Sequence, residues 1–273
     1  MEAPIPGSNG SNGSHALDVE TPPGTPAKRT RAKKEEAPAA AVGPRAEQIT
    51  YLILCSQKSP LLMDQFEQGE MVAALVHGQR NPADKESLLE ARCPKKIYRD
   101  KDGNPALRAD HLLACLRAAG RSIKIGKEGK ISTASETKLF AFLELELENE
   151  DLTIPLVFPE GLDARSQKPS EGAESKDNLD ASSPWKVDVR RGVGEATGIA
   201  NALVRPRFDK WGFSVRITVD YTAIEGLTET HVKQLFERAG NRVGLLSYRP
   251  ACNGPFGRFR VDSFVDVKTL ENA

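Results

Sequence analysis

The segment Trp211–Tyr221, WGFSVRITVDY, constrains the fold more than any other part of the chain. Phe, Val, Ile, Val and Tyr alternate along it with Ser, Arg, Thr and Asp, which is the pattern of a β-strand with one buried and one solvated face. A helix is predicted over 228–239, with Thr228 as its N-cap and His231 at the third helical position, where a capping box has Glu or Gln. A last strand is predicted over 257–267, so this half of the chain has the order strand, helix, strand.

The first half of the chain predicts the same order. ITYLILC, residues Ile49–Cys55, is short, rich in β-branched side chains and apolar on both faces, as expected of a buried strand. Further on, the patterns predict a strand over 95–99, a helix over 110–119 that Asp110 can cap, and strands over 122–126 and 139–147. Together the two halves predict an α+β protein with a ferredoxin-like βαββαβ core enlarged by insertions.

Two segments lack the apolar periodicity that a packed element needs. Residues 1–46 hold seven prolines and five glycines, and residues 159–184 are low in apolar side chains and rich in Pro, Gly, Ser and Asp. Neither segment can bury enough surface to offset the entropy lost on ordering. We therefore predict a disordered tail over 1–46, a single α+β domain over 47–273 and a flexible insertion loop over 159–184 within that domain.

The tail carries a run of five Lys and Arg within seven residues. Such a run can contact phosphate groups or serve as a nuclear import signal in a host that has a nucleus, and it can equally be a solvated stretch of charge. Its members are Lys28, Arg29, Arg31, Lys33 and Lys34.

Between the predicted second helix and the last strand lies a glycine-rich sequence, AGNRVGLLSYRPACNGPFGRFRV, residues 239–261. Glycine lets backbone amides approach an anion closely, while arginine pairs with phosphate and aromatic rings stack on bases. The residues predicted here to bind nucleic acid are Arg242, Gly244, Tyr248, Arg249, Gly254, Phe256, Gly257, Arg258 and Arg260. The alternative is a tight connection with a bulge at the entry to the strand, without any ligand.

Charge is segregated along a chain whose 38 basic and 38 acidic side chains balance. Residues 203–261 contain ten Lys and Arg against five Asp and Glu, a net charge of +5, so the remainder of the chain carries −5. A local basic excess beside a glycine-rich turn is the electrostatic signature of a surface for RNA or single-stranded DNA.

The glycine-rich turn, leading into the last strand as GPFGRFRV, resembles the RAMP superfamily, whose members form the RNA-binding backbone and the crRNA-processing subunits of CRISPR effector complexes. The resemblance covers 95–150 and 185–267 and is sharpest over Gly240–Val261. It implies a ferredoxin-like, non-catalytic RNA-binding subunit that assembles along a strand, with copies of itself or with other effector subunits. SPLLMDQF, residues 59–66, and the glycine-rich turn also resemble uncharacterised phage and prophage proteins, which implies a phage-encoded relative.

Two other functions stay open. A phage structural or protein-interaction module would use the same fold without nucleic acid. A metal-independent endoribonuclease would use His231 as a general base, since imidazole titrates near neutral pH. The sequence has no GxSxG, Walker, HExxH or GxGxxG motif, so other hydrolase, kinase and dehydrogenase functions have no positive support.

Neither a cofactor nor a metal site is expected, because the four cysteines match no zinc-ligand spacing. No membrane span is expected either, because no window approaches the ~18 consecutive apolar residues that a spanning helix needs. The expected location is the cytoplasm.

Overall fold

The structure, a computed structural model, describes residues 48–65, 93–147, 149–172, 178–193 and 200–271, all of which belong to one compact unit, Pro44–Ala273. The predicted tail over 1–46, with its basic run from Lys28 to Lys34, lies outside the described residues.

The described residues form eleven strands and four α-helices. The strands are β1 (Gln48–Gln57), β2 (Leu61–Leu62), β3 (Ala106–Arg108), β4 (Lys124–Ile125), β5 (Gly129–Lys130), β6 (Leu143–Glu146), β7 (Thr153–Val157), β8 (Trp185–Val193), β9 (Ala200–Phe208), β10 (Gly212–Asp220) and β11 (Phe259–Asp266). The helices are α1 (Ala109–Gly120), α2 (Leu139–Phe142), α3 (Glu229–Arg238) and α4 (Val267–Glu271). Short 3-10 turns lie at Pro94–Lys96, Gly126–Glu128 and Pro250–Cys252, and a π-helical turn at Ala239–Val243. Within the described ranges no helix is both long and apolar enough to cross a membrane.

The largest sheet has the strand order β11, β1, β10, β7, β3, and β6 also pairs with β10. Its pairings are antiparallel, and Tyr51 of β1 lies opposite Ile217 of β10 on one side and Asp266 of β11 on the other. The protein therefore combines helices with antiparallel sheets, which confirms the predicted α+β class.

One face of this sheet forms the core together with α1 and α3. The alternation predicted for β10 is confirmed, because Phe213, Val215, Ile217 and Val219 are all buried. The helices contribute the apolar stripes that their sequences show, and both stripes belong to the same buried cluster: Leu112, Leu116 and Ala119 of α1, and Val232, Leu235 and Phe236 of α3. Because each large apolar side chain contributes about 1.5–3 kcal/mol when fully buried, this packing holds both helices against the sheet.

Thr228, the predicted N-cap, caps α3, and His231 completes a capping box with it. Nδ1 of His231 accepts a hydrogen bond from the backbone N–H of Thr228 at 3.1 Å and lies 2.8 Å from the Thr228 hydroxyl. The imidazole thus takes the place that Glu or Gln has in the common form of this motif.

Several predictions for the first half are wrong. Residues 95–99 do not form a strand: Pro94 begins a 3-10 turn, and only Arg99 makes an isolated bridge, to Pro105. Proline favours the first position of such a turn because its φ is fixed and it lacks an N–H group. In β1 one face is partly solvated, since the side chain of Leu54 is 42% exposed. Asp110 lies inside α1 rather than capping it, because the N-cap is Arg108.

The predicted strand over 139–147 divides into α2 and β6. Leu139 and Phe142 are both buried although they are three positions apart. A helical turn directs positions i and i+3 to one face, whereas a strand would direct them to opposite faces. The period of two begins only at Leu143.

A second sheet has the order β2, β9, β8. On one face of the β8–β9 pair, Trp185 lies opposite Phe208, and both are fully buried. The other face carries charged side chains that alternate with the apolar ones: Lys186, Asp188 and Arg190 on β8, and Arg205 and Arg207 on β9.

The described part of the insertion loop contains no strand and no α-helix, and it is held against β8 by hydrogen bonds. Nε1 of Trp185 donates to the carbonyl oxygen of Ser166 at 3.1 Å, and the backbone N–H of Ser170 donates to the carbonyl oxygen of Trp185 at 2.8 Å. The Ser166 hydroxyl also donates to Asp180 at 2.6 Å, which joins the two ends of the loop. The predicted flexibility of 159–184 stays a prediction, and it now depends on these anchors.

Replacing Trp185 by phenylalanine removes the indole N–H that holds Ser166. We expect a loss of about 1–3 kcal/mol in the free energy of unfolding and faster proteolysis within 159–184. The measurement is limited proteolysis with mass-spectrometric identification of the first cuts. Trp211→Phe is the matched control, because Trp211 is equally buried and donates to the carbonyl oxygen of Ser59 at 2.9 Å. Equal cleavage of 159–184 in both variants would show that the Trp185 anchor does not restrain the loop.

Candidate nucleic-acid interface

The segment 239–258, hereafter the glycine-rich loop, connects α3 to β11. It begins with the π-helical turn Ala239–Val243, and Gly244 ends that turn at a φ of +75°. Gly240 packs so closely against the start of β11 that a Cβ atom would overlap the carbonyl oxygen of Phe259. The loop is thus pressed onto the end of the strand that follows it.

The glycines of the loop are explained by close backbone packing. A Cβ atom at Gly254 would overlap the carbonyl oxygen of Tyr248, and one at Gly257 would overlap that of Leu245. Their amides are also engaged, since the N–H of Gly257 donates to Pro60 at 2.8 Å and that of Gly254 donates to Arg249 at 3.0 Å. The sequence predicts that these amides bind phosphate, but in this conformation neither N–H is free to do so. The N–H of Gly244 likewise donates to the carbonyl oxygen of Ala239 at 2.8 Å.

Three residues of the loop other than glycine adopt positive φ angles. These are Leu246 at +58°, Tyr248 at +50° and Asn253 at +58°. The left-handed region costs side chains with a Cβ of the order of 1 kcal/mol or more, so the surrounding contacts must hold these residues in place. The loop therefore has a defined conformation with local backbone strain at these three residues.

The aromatic side chains of the loop divide into buried and exposed. Phe256 is only 4% exposed, and the Arg190 guanidinium lies over its ring at 4.4 Å, so this ring is not free to stack on a base. Tyr248 is 43% exposed. Of the two aromatic residues predicted to bind nucleic acid, Tyr248 is thus the one available to a ligand.

Several cations counted in the basic segment form ion pairs with carboxylates, one of them distant in sequence and the others two positions away. Nε of Arg205 lies 2.7 Å from Asp64, and Nε of Arg207 lies 2.6 Å from Asp209. Arg260 pairs with Asp262 at 2.8 Å. The effective positive charge of 203–261 is therefore smaller than its composition suggests.

Arg242, Arg249 and Arg258 make no ion pair with any other described residue. Arg242 and Arg258 are exposed and lie close to Lys58, whose Nζ donates to Asn241 at 2.7 Å and whose backbone N–H donates to the carbonyl oxygen of Arg258 at 2.8 Å. We call Lys58, Arg242 and Arg258 the basic edge. It lies where β1 ends and β11 begins.

His231 is not close to the glycine-rich loop, which contradicts the geometry that a ribonuclease using this residue would need. It lies in the first turn of α3, and the loop begins after the last turn. Nine residues of helix span about 13 Å, beyond the reach of a hydrogen bond. Its Nδ1 is also occupied by the capping box.

A cavity of about 400 Å³ lies between α1 and the glycine-rich loop. Its walls combine small side chains of α1, polar and aromatic side chains from distant segments, and the loop itself. The chemically important members are Asp64, Tyr98, His111, Tyr248, Arg249 and Cys252. In the part of the chain that the structure describes, no three His, Cys, Asp or Glu side chains cluster closely enough to hold a metal ion.

His111 is a titratable side chain of α1 that lines the cavity. Its ring meets that of Tyr98 edge-on, with 4.7 Å between centroids, and its buried Nδ1 has no hydrogen-bond partner among the described residues. Burial lowers the pKa of His111, the Asp110 carboxylate opposes this, and Arg108 and Arg249 lower the pKa further. The imidazole is therefore neutral at pH 7.

No sequence pattern marks Tyr98, His111 or Asp64 as part of a site. They are 13 and 34 positions apart along the chain, and each is more than 100 positions from Arg249. No local motif joins them, because α1 and the loop meet only through the tertiary packing. Arg190 was missed for the same reason.

No protein-family model and no curated protein matches the sequence. Among solved structures, the chain is similar to one in the cryo-EM structure of the type III-B Cmr-beta bound to cognate target RNA. The two chains are 12% identical, the match covers 80% of this chain and 60% of the other, and the TM-score is 0.39. This chain thus spans less than two thirds of that neighbour. None of these comparisons supports a phage origin, and so distant a likeness assigns this chain neither a fold family nor a function.

Proposed function

We propose that this protein binds single-stranded nucleic acid, RNA or DNA, through the glycine-rich loop and the basic edge. The observation that carries the proposal is that Arg242, Arg249 and Arg258 lie on one loop without an ion-pair partner among the described residues, and that the same loop carries the exposed ring of Tyr248. Cations that track a phosphate backbone and an aromatic ring on which a base can stack are the two parts of a single-strand site.

The chemistry of the loop favours side-chain contacts over a backbone cradle. The amides of Gly244, Gly254 and Gly257 already donate to carbonyl oxygens within the protein. Guanidinium groups, in contrast, present several N–H donors that match phosphate oxygens. Binding should therefore be mainly electrostatic and insensitive to base sequence.

We further propose that the core is a ferredoxin-like domain of the RAMP type. This is supported by the antiparallel order β11, β1, β10, then β6 and β7, with α1 between β1 and β6 and α3 between β10 and β11 along the chain. On this hypothesis the protein is a non-catalytic subunit that assembles along a strand, with further copies or with other subunits of a nucleic-acid complex.

The test is a titration of fluorescently labelled oligouridylate and oligothymidylate, followed by anisotropy over a range of salt concentrations. We expect the wild-type protein to bind, and the double variant Arg242→Ala/Arg258→Ala to bind more weakly at low salt. Each lost phosphate contact should reduce the slope of log K against log salt by about 0.7 for a single strand. Lys127→Ala/Lys130→Ala is the matched control, because it removes two exposed cations outside the loop.

An unchanged affinity and salt slope in the Arg242→Ala/Arg258→Ala variant would exclude the basic edge from the site. If the wild-type protein binds neither oligonucleotide, the proposal of nucleic-acid binding is wrong. The protein-interaction module is then the remaining interpretation of the fold.

A further inference from the structure

The cavity between α1 and the glycine-rich loop is large enough for a small molecule, and its walls carry aromatic rings and a guanidinium group. Its volume of about 400 Å³ falls within the range of sites for small molecules. Ala114 and Ala118 of α1 line it, and their short side chains leave the space open. Ala114 is exposed although it faces the loop, so the cavity opens to solvent.

We propose that this cavity receives one nucleotide of the bound strand, with its base inserted between α1 and the loop and its phosphate on Arg249. The inference rests on the proposed function and names a specific subsite within it. The same chemistry could be supplied by a free mononucleotide, and the experiment below distinguishes the two sources.

Arg249 is the cationic group in the cavity wall that can bind an anion. Its side chain is half-buried, and Nη1 donates to the carbonyl oxygen of Leu246 at 2.6 Å, which fixes the guanidinium. Its other N–H groups make no hydrogen bond to a described residue. Among the described residues that line the cavity, Asp64 is the one carboxylate, and it is already shared between Lys96 at 3.0 Å and Arg205 at 2.7 Å. A partly desolvated cation with no counter-ion among the described residues favours a charged ligand.

The other walls suit a nucleobase. Tyr98, in the segment before α1, and His111 of α1 line the cavity, and the exposed ring of Tyr248 lines it from the loop. Aromatic surfaces on which a base can stack are sequence-tolerant contacts. The unpartnered Nδ1 of His111 adds a buried polar atom whose hydrogen-bonding capacity no described residue satisfies.

The position of the cavity connects it to the basic edge. Val243 and Gly244 line the cavity, and they directly follow Arg242 in the chain. A strand that contacts the basic edge through Arg242 is therefore only a short distance from the cavity. One unstacked nucleotide can enter while its neighbours stay on the surface.

Cys252 provides a direct probe of occupancy. It lines the cavity and is exposed, whereas Cys55, Cys93 and Cys115 are buried. Burial raises the pKa of Cys115 to about 12 and that of Cys55 beyond its usual range, so neither forms an appreciable amount of thiolate near neutral pH. A thiol-specific alkylating reagent should therefore modify Cys252 selectively in the folded protein.

The first experiment measures the alkylation rate of Cys252 by mass spectrometry. Saturating oligouridylate should slow the reaction at least about tenfold, since stacking of a base covers the cavity wall. Inorganic phosphate at the same concentration should give little protection. Protection by uridine monophosphate as strong as that by the oligonucleotide would identify a free mononucleotide, rather than a strand, as the ligand. An unchanged rate while anisotropy shows the oligonucleotide bound would overturn the inference.

The second experiment fills the cavity from an exposed helical position. Ala114→Trp should weaken oligouridylate binding about tenfold or more, the effect expected from losing one stacked base. Thr230→Trp is the matched control on the exposed surface of α3 and should leave binding unchanged. If Ala114→Trp binds as the wild type does, the cavity is not a subsite although the proposed function stands. If the wild-type protein binds no strand at all, it is the proposed function that fails.

Discussion

Replacing Gly257 by alanine is expected to lower the free energy of unfolding by about 3 kcal/mol or more, and the Tm by roughly 6–12 °C. Two independent costs add at this position. The φ of +70° disfavours any residue with a Cβ, and the added Cβ would overlap the backbone of Leu245. Neither Leu245 nor Pro60 can move away easily, because the amide of Gly257 donates to Pro60 and its carbonyl accepts from Leu245 at 2.9 Å.

Gly103→Ala separates these two costs. Gly103 has a similar φ of +83°, but an added Cβ would meet nothing within 4 Å. We expect this variant to lose only about 1 kcal/mol, the cost of the backbone conformation alone. Thermal or urea unfolding of both variants measures the difference. Equal losses would show that the loop relaxes around the added methyl group and that its packing is looser than the contacts at Gly257 imply.

The predictions that the structure confirms concern elements whose pattern is local. β10 has an unbroken alternation, α3 has an apolar stripe, and its start carries Thr228 and His231 at the spacing of a capping box. Each of these signals lies within about ten residues, so the local sequence alone is enough to predict the element. The local patterns therefore predict β10, α3 and β11 to within a few residues of their ends.

The predictions that failed depend on contacts between distant segments. Residues 95–99 have the composition of a strand, but within the described ranges they pair with nothing beyond the bridge at Arg99. Leu246 and Tyr248 adopt glycine-like backbone angles, which only the surrounding packing can impose. The cavity beside them joins Asp64, His111 and Arg249, and no sequence pattern links these residues.

The charge count illustrates the same limit. Ten cations against five anions over 203–261 predicts a strongly basic surface, yet Arg205 is neutralised by Asp64 and Arg207 by Asp209 and Asp188. Asp64 and Asp188 both lie outside the counted segment. Composition gives the net charge of a segment, whereas the surface potential depends on which carboxylates the fold places beside each cation.

Asp188 is the carboxylate whose loss should have the largest electrostatic effect. It is 9% exposed and holds Arg190 through two contacts, at 2.5 Å to Nε and 3.0 Å to Nη2, while Arg207 lies 3.6 Å away. Its hydrogen bond raises the pKa of Arg190. Asp188→Asn keeps the shape but removes the counter-ion of Arg190 and the longer of two ion pairs of Arg207, which keeps Asp209 at 2.6 Å. Because both arginine side chains are partly solvated, we expect a loss of about 2 kcal/mol rather than the larger cost of a fully buried pair.

Chemical denaturation of Asp188→Asn measures this loss, and Glu229→Gln is the control. Glu229 pairs with Lys233 one turn away on the exposed face of α3, and such a pair contributes no more than about 0.5 kcal/mol. A loss as small as that of the control would mean that solvent compensates the two arginines and that Asp188 has no structural role.

The same variant should bind single-stranded nucleic acid more tightly than the wild type, so stability and affinity should change in opposite directions. Arg190 lies over the ring of Phe256 at 4.4 Å and 5.9 Å from that of Tyr248, so the released guanidinium adjoins the glycine-rich loop. Each cation that gains a phosphate contact should steepen the salt slope by about 0.7, and Glu229→Gln should leave the slope unchanged. If folded Asp188→Asn binds oligouridylate with wild-type affinity and slope, then Arg190 and Arg207 lie off the path of the strand. In that case the path is confined to the basic edge and Arg249.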